Sequence, residues 1–281
     1  MKRRQFTAAT ALGVAFASGP FLAETARAET PSTLEGVKQR GVLRAGVRQD
    51  VPGFGIVDEK GGTVGFDIDI ATELAKRLGV KIELVPVTAA TRIPLLQQGR
   101  IDLIAATLTH YRERDRVIDF SIGYFWTGQK LMVKKSSNIQ SFADMAGKRA
   151  GTTVGALALK NLAAAQPKAV GQTFEGYPEA FLAMQRGLVD AVVADVIILA
   201  GLRASAPNPG DYVIVGESLG GGDYAIGVRE NDSKWRDAIN FALQDMWRDG
   251  TWDKIYGRWV GPGTPLNLAK SEIGFSMELW D

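Results

Sequence analysis

The 281-residue sequence contains no cysteine and a single histidine, His110. Without a thiol there can be no disulfide framework, no Cys-ligated zinc or iron–sulfur site and no cysteine nucleophile, and one histidine leaves little for a metal centre. No metal and no cofactor is expected. Long apolar runs are equally scarce. The mostly small, apolar residues 7–16 are too few to span a bilayer. They follow a basic start, Met1-Lys2-Arg3-Arg4-Gln5-Phe6, and precede Ala26-Arg27-Ala28, an A-x-A cleavage pattern. Residues 1–28 therefore read as an export signal. The Arg3-Arg4 pair suits the twin-arginine route, with a general secretory signal as the alternative.

An excess of one charge is missing too. Lys and Arg number 33 against 31 Asp and Glu, and the signal removes Lys2, Arg3, Arg4 and Arg27 but only Glu24, so the formal balance shifts from +2 to −1. Electrostatic support for nucleic acid or an anionic membrane disappears with it. What remains is long enough for one large or two modest domains.

Strand-like runs occupy Val42–Val47, Lys81–Pro86 and residues 101–105, 130–133, 169–174, 190–193 and 212–215. Between them, Ile68, Ala71, Leu74, Ala75 and Leu78 recur at helical spacing behind Asp67 and Asp69, with Gly79 just past the end. Trp235, Ile239, Ala242, Leu243 and Met246 repeat the pattern, with Ser233 as cap and Gly250 as stop. Ser32-Thr33-Leu34-Glu35 has the form of a capping box. This alternation predicts an α/β fold with parallel sheets covered by helices and ligands outside the carboxyl ends of strands. Two extended, apolar or Gly-rich stretches, residues 124–133 and 220–228, flank a block with its own β/α alternation. They predict a discontinuous chain: residues 29–127 and 224–281 in one lobe, 128–223 with the hinge crossings in the other.

Several motifs fail on inspection. Gly216-Glu217-Ser218-Leu219-Gly220 fits a nucleophile elbow, but Gly221 and Gly222 follow where a helix is needed, and His110 lies upstream. Gly147-Lys148 lacks the rest of a P-loop, and Gly53-Phe54-Gly55 lacks the third glycine of a dinucleotide fingerprint. His110 has no recognisable orienting partner and reads as structural or solvated. No catalytic residue is assigned.

Gly65-Phe66-Asp67-Ile68-Asp69-Ile70, continued by Leu74, Ala75 and Leu78, closely resembles the signature of the polar amino-acid family of periplasmic solute-binding proteins, the receptors of ABC importers. The resemblance runs on in order through Gly41-Val42-Leu43-Arg44, Arg92-Ile93-Pro94, Gly99-Arg100-Ile101-Asp102, Ala106-Thr107-Leu108-Thr109 and Glu113-Arg114. It continues through Asp119-Phe120-Ser121, Gly151-Thr152-Thr153, Tyr177-Pro178-Glu179-Ala180 and Val189-Asp190-Ala191. It implies two α/β lobes joined by two hinge strands around a ligand cleft, and a monomeric periplasmic receptor that closes on a free amino acid and delivers it to a permease. The lipid-anchoring cysteine of many relatives is lacking, so a free periplasmic protein is expected.

A free amino acid needs a fixed cation with several donors and, opposite it, a fixed carboxylate. Arg114, five residues after Thr109, offers a planar fork for the α-carboxylate, which is its role by family resemblance; otherwise it is a surface arginine of the basic run 112–116. Thr107 and Thr109 could complete the ligand's hydrogen bonds or be ordinary strand-end threonines. Asp195 matches the carboxylate that holds the α-ammonium in the family, or caps the helix that follows. Thr153 could help bind a carboxylate at a helix N-terminus or simply cap it.

Arg48 follows the first strand where glutamate/aspartate receptors of the family carry a cation, and Arg92 resembles their contact to the side-chain carboxylate. Facing the cleft with Arg114 against Asp195, they would give the site two net positive charges, which favours glutamate or aspartate. Alternatives are a receptor for a neutral or other polar amino acid, or an exported prephenate/arogenate dehydratase-like lyase. The sequence departs from the family at Ala106, where many members have a hydroxyl, and at Phe54, where no tyrosine follows Pro52. Aromatic packing over the ligand therefore stays open between Phe54, Phe66 and Tyr124.

Overall fold

The computed structural model describes residues 31–280; the signal read in residues 1–28, with its arginine pair and cleavage pattern, lies outside the described residues. The strands are β1 (Val42–Val47), β2 (Asp50–Val51), β3 (Gly55–Val57), β4 (Thr63–Val64), β5 (Lys81–Pro86), β6 (Leu103–Ile104), β7 (Asp119–Lys134), β8 (Arg149–Thr153), β9 (Val170–Phe174), β10 (Ala191–Asp195) and β11 (Tyr212–Val228). The α-helices are α1 (Thr33–Arg40), α2 (Phe66–Arg77), α3 (Arg92–Gln97), α4 (Ala158–Ala165), α5 (Tyr177–Gln185), α6 (Val196–Ala204), α7 (Ser233–Arg248), α8 (Thr251–Trp259) and α9 (Lys270–Ile273). Among the described residues no helix is long and apolar enough to cross a membrane.

Eight strands run in the order β5-β1-β6-β11-β7-β10-β8-β9, and β2-β3-β4 form a small antiparallel sheet. The outer trios, β5-β1-β6 and β10-β8-β9, pair in parallel, whereas β7 and β11 run antiparallel to each other through the middle. Each trio with its helices is one α/β lobe, and β7 and β11 join the two. The stretches read as extended crossings are thus parts of two single strands of 16 and 17 residues. Their mutual pairing satisfies the backbone where a loop would have left it to water.

Burial on both faces follows from the period of two. On β10, Val192 and Ala194 turn to the large core, while Ala191 and Val193 turn to a second cluster with Leu131, Phe142 and Met145. Each lobe also carries the same clamp. Arg44 at the head of β1 gives its backbone N–H (2.8 Å) and guanidinium (3.0 Å) to Asp102 and reaches the Gly99 carbonyl. Arg149 at the head of β8 repeats this with Asp190 (2.7 and 3.1 Å) and the Gly187 carbonyl. A carboxylate four positions into Gly-x-x-Asp thereby ties a helix exit to the neighbouring strand in both lobes.

Helix α2 starts at Gly65, whose φ of 147° is open to glycine and whose missing Cβ would lie 2.2 Å from the Phe54 carbonyl oxygen. Two caps differ from the expected ones. Asp232, not Ser233, caps α7 by accepting from Trp235 N at 3.1 Å. Its other oxygen accepts from the Thr33 amide, a tertiary partner that sequence spacing does not reveal. Ser32 caps α1 by accepting from Leu34 N, but among the described residues no reciprocal bond from the Glu35 side chain completes the expected capping box.

Candidate functional site

Three guanidiniums converge in the interior. Arg48 leaves the end of β1, Arg92 opens α3, and Arg114 lies in a 3-10 turn before β7; all are buried. Each is surrounded differently. Arg48 is gripped by Asp50, with Nε 2.6 Å from Oδ1 and Nη2 on Oδ2, and stacks 5.0 Å from the Tyr177 ring centre. Burial pulls its pKa down, but Asp50 more than offsets this and the balance is upward. Arg92 donates from Nη1 to the carbonyls of Ala106 and Thr107. Desolvation, and then the charges of Arg114 and Arg48, lower its pKa far below the ordinary arginine range. Arg114 donates to the Thr109 carbonyl at 2.9 Å and lies 5.4 Å from the Tyr111 ring centre. Burial lowers its pKa, with Asp195 opposing.

Asp195 ends β10 and is buried. It stands at the N-cap position of α6 but makes no side-chain cap bond, and its Oδ2 accepts from the Tyr224 hydroxyl at 2.7 Å. Burial raises its pKa, against the Tyr224 bond and the charge of Arg114. Its carboxylate is therefore turned toward the cations. Thr153, expected at a helix N-terminus, is not there: α4 begins at Ala158 with Leu157 as cap, and the Thr153 hydroxyl donates to the Glu175 carbonyl at 2.8 Å.

Thr107 has φ of 45°, unusual for a β-branched residue, and such strain clusters at functional sites. Thr109 bridges to Tyr224. Among the described residues, three buried side-chain polar atoms have no hydrogen-bond partner: Arg92 Nε, Thr107 Oγ1 and Thr152 Oγ1. Unsatisfied buried polar atoms are rare and call for a partner. Two of the three belong to residues read as ligand-facing, and the third adjoins Thr153.

The aromatics are arranged otherwise than expected. Phe54 and Phe66 are fully buried, their ring centres 5.2 Å apart, and pack with Phe125 and Trp252. Tyr124 is buried with its hydroxyl on Asp67 at 2.8 Å. The rings against the cations are Tyr111 and Tyr177. Asp50 is not singled out by its spacing, because Gln49 forms a bend between β1 and β2, and it is there that the Asp50 carboxylate closes on Arg48. Its pairing with Arg48 lowers the expected surplus of two positive charges. Asp67 also enters the balance: buried beside Arg92 and Arg48, its pKa is pushed up to about 7 by desolvation. The remaining candidates of the sequence behave as structural parts. Ser218 lies on β11 with its hydroxyl on the Gly220 carbonyl. His110, for which the sequence shows no partner, does have one: its Nε2 lies 3.0 Å from Asp115 Oδ1, five residues on in the turn before β7, and its ring stacks on Phe120.

Residues 43–262 match the bacterial extracellular solute-binding proteins, family 3. The chain is 36% identical over 242 residues to an ABC transporter glutamine-binding protein of Bacillus subtilis, covering 84% of this chain and 88% of that one. It is 30% identical over 280 residues to the L-glutamate/L-aspartate-binding protein of Pseudomonas aeruginosa, covering 94% and 91%. Among solved structures it is similar to an ancestral amino acid-binding protein, a precursor of cyclohexadienyl dehydratase, with a TM-score of 0.75, 35% identity, and coverage of 81% of this chain and 99% of that one.

Proposed function

Because the chain belongs to family 3 of the bacterial extracellular solute-binding proteins, we propose that it is the extracytoplasmic receptor of an ABC importer, taking glutamate or aspartate between its lobes and delivering it to a permease. It binds and releases its ligand unchanged. The observation that carries the ligand class is Arg92: buried, with Nε unpartnered and no ion pair to a carboxylate among the described residues. A buried charge without a counter-ion is strongly unfavourable, and a ligand side-chain carboxylate would supply one. Arg114 would take the α-carboxylate by its fork, and Asp195 the α-ammonium. Thr107, Thr109 and the Gly151–Thr153 segment would complete the hydrogen bonds.

The lobes are proposed to divide at residues 127/128 and 223/224 and to close on the ligand as rigid bodies about β7 and β11. Several charge-assisted hydrogen bonds of roughly 1.5–3 kcal/mol each, less the ordering they require, make micromolar binding, about −8 kcal/mol, the expected scale. Residues 1–28 are proposed to direct export, by the twin-arginine route.

Glutamine is the second reading, favoured by Asp50: with Arg48 already paired, the site holds less positive charge than three free arginines would. Calorimetric titration of the ligand-stripped chain with glutamate, aspartate, glutamine, asparagine, histidine and arginine decides between them. Preference for the dicarboxylates is the expected result. A preference for glutamine or a basic ligand would overturn the assignment of Arg92 while leaving the receptor role intact.

A further inference from the structure

Asp67 is the buried carboxylate for which ligand binding as described has no use. It lies in the first turn of α2, 1% exposed, and forms no ion pair among the described residues. Its Oδ1 accepts from the Tyr124 hydroxyl of β7 at 2.8 Å, and its Oδ2 from the Thr107 amide at 2.7 Å. That amide belongs to the same peptide group as the Ala106 carbonyl, which accepts from Arg92 Nη1. One peptide plane therefore stands between the carboxylate and the guanidinium, its N–H toward the first and its C=O toward the second. Hydrogen bonds in such a chain polarise one another. The same contact holds Thr107 in its left-handed conformation, which brings the Thr107 carbonyl to 3.2 Å from Arg92 Nη1.

The charged groups acting on Asp67 are Arg92 of α3 and Arg48 beyond β1, and its titratable neighbours are Tyr124 of β7 and Tyr224 of β11. On the other sides of α2 the charges are matched outward: Glu73 with Arg77, Arg77 with Asp249 ahead of α8, and Asp69 with Arg258 of α8.

We infer that Asp67 is a positioning residue for Arg92, acting through the Ala106–Thr107 peptide, and that the charge on its carboxyl sets how strongly the site prefers an anionic over a neutral ligand side chain. This rests on the proposed role of Arg92. Ionised, Asp67 competes with the ligand carboxylate for the field of Arg92; protonated, it leaves that field to the ligand. Protonation keeps both hydrogen bonds, because Oδ2 still accepts from the amide while a proton on Oδ1 is donated to the Tyr124 oxygen. With the carboxyl titrating near 7, the change falls in a physiological range. By linkage, a bound anion in turn favours proton uptake.

Asp67→Asn is the neutral mimic, able to make the same two bonds. Titrations of the wild type and D67N with glutamate and with glutamine at pH 6 and pH 8 give the ratio of their Kd values. In the wild type the preference for glutamate is expected to be about fivefold greater at pH 6 than at pH 8, for a one-decade coupling. In D67N it should be independent of pH and at least as large as the wild-type value at pH 6. A wild-type ratio that does not change with pH, or an unchanged pH slope in D67N, overturns the inference, since a purely structural role would lower both affinities and leave the slope alone. Loss of glutamate preference at both pH values, with the slope retained, overturns the ligand assignment instead. If neither ligand binds or D67N does not fold, the Arg92 Nε–H resonance of the wild type is followed by NMR. Movement with a midpoint near pH 7 supports the inference, and a resonance fixed from pH 6 to 8 overturns it.

Discussion

Arg114 and Arg92 lie at similar depth yet should fail differently when removed. In the proposed binding mode Arg114→Ala takes away the fork for the α-carboxylate every amino acid has, and it removes the cation whose charge acts most strongly on Asp195. Binding of all ligands should fall by about 3–5 kcal/mol, more than a hundredfold. Arg92→Ala should weaken glutamate and spare glutamine; equal losses in calorimetry would sink its role as the side-chain contact. Asp67 governs a pH effect on stability. Its folded pKa, about 7, lies above the ordinary aspartate value of 3.8, so its contribution to stability is complete below 3.8 and is lost as pH rises through about 7. A displacement of this size corresponds to roughly 4 kcal/mol. Relative to the wild type, D67N should therefore gain stability between pH 4 and 8 in denaturant titrations. At this scale the sequence was informative about chemistry and blind to depth. Arg48, Arg92, Arg114 and Asp195 are brought together from four separate segments, but nothing in Val47-Arg48-Gln49-Asp50 reveals that Asp50 closes on Arg48 in the interior.

Elements were legible where one face is buried against one partner. Val42–Val47 and Lys81–Pro86 have the bounds their alternation suggests, and the periodicity of α2 and α7 is reproduced in their buried faces. Strands β7 and β11 were seen only in pieces. Their burial passes from one core to another along the strand, and their middle holds Gly220, Gly221 and Gly222, which read as a loop. Helix α4 begins five residues beyond Thr153, although Val154 and Ala156 continue the apolar pattern, because a turn containing Gly155 at φ 83° intervenes. One element-scale prediction concerns Gly65. In Gly65→Ala the new methyl meets the Phe54 carbonyl, and α2 must shift. The expected loss is about 3 kcal/mol in thermal or chemical unfolding. A variant of wild-type stability would mean that the β3–α2 junction has room to relax.

Across the whole molecule, the two lobes meet through glycine. A Cβ on Gly155 would lie 2.7 Å from the Ala89 backbone, and one on Gly201 of α6 would lie 2.5 Å from the Pro52 carbonyl oxygen, so backbone meets backbone across the cleft. Lys160 of α4 also pairs with Glu113 beside Arg114. Gly201→Ala should separate folding from binding. Alanine favours the helix by up to about 1 kcal/mol, which supports the lobe, whereas overpacking against Pro52 would oppose the proposed closure by about 1–3 kcal/mol. The expected outcome is an unchanged or higher melting temperature with affinity for every amino acid lowered roughly tenfold, without a change of preference. Loss of one ligand alone would tie Gly201 to the pocket instead of the seam. The β7–β11 ribbon carries a further consequence. Its pairing slips between Val215 and Leu219 and between Leu219 and Gly221, opposite Gln129 and Gly128, and again between Tyr224 and Gly227; the first slip leaves the longest unpaired run on β11, with paired segments on either side. Amide hydrogens along β11 should therefore exchange with deuterium in two slow blocks separated by a fast notch at residues 216–221, and the ribbon would store its bending there as a torsional joint while the sheet in each lobe stays stiff.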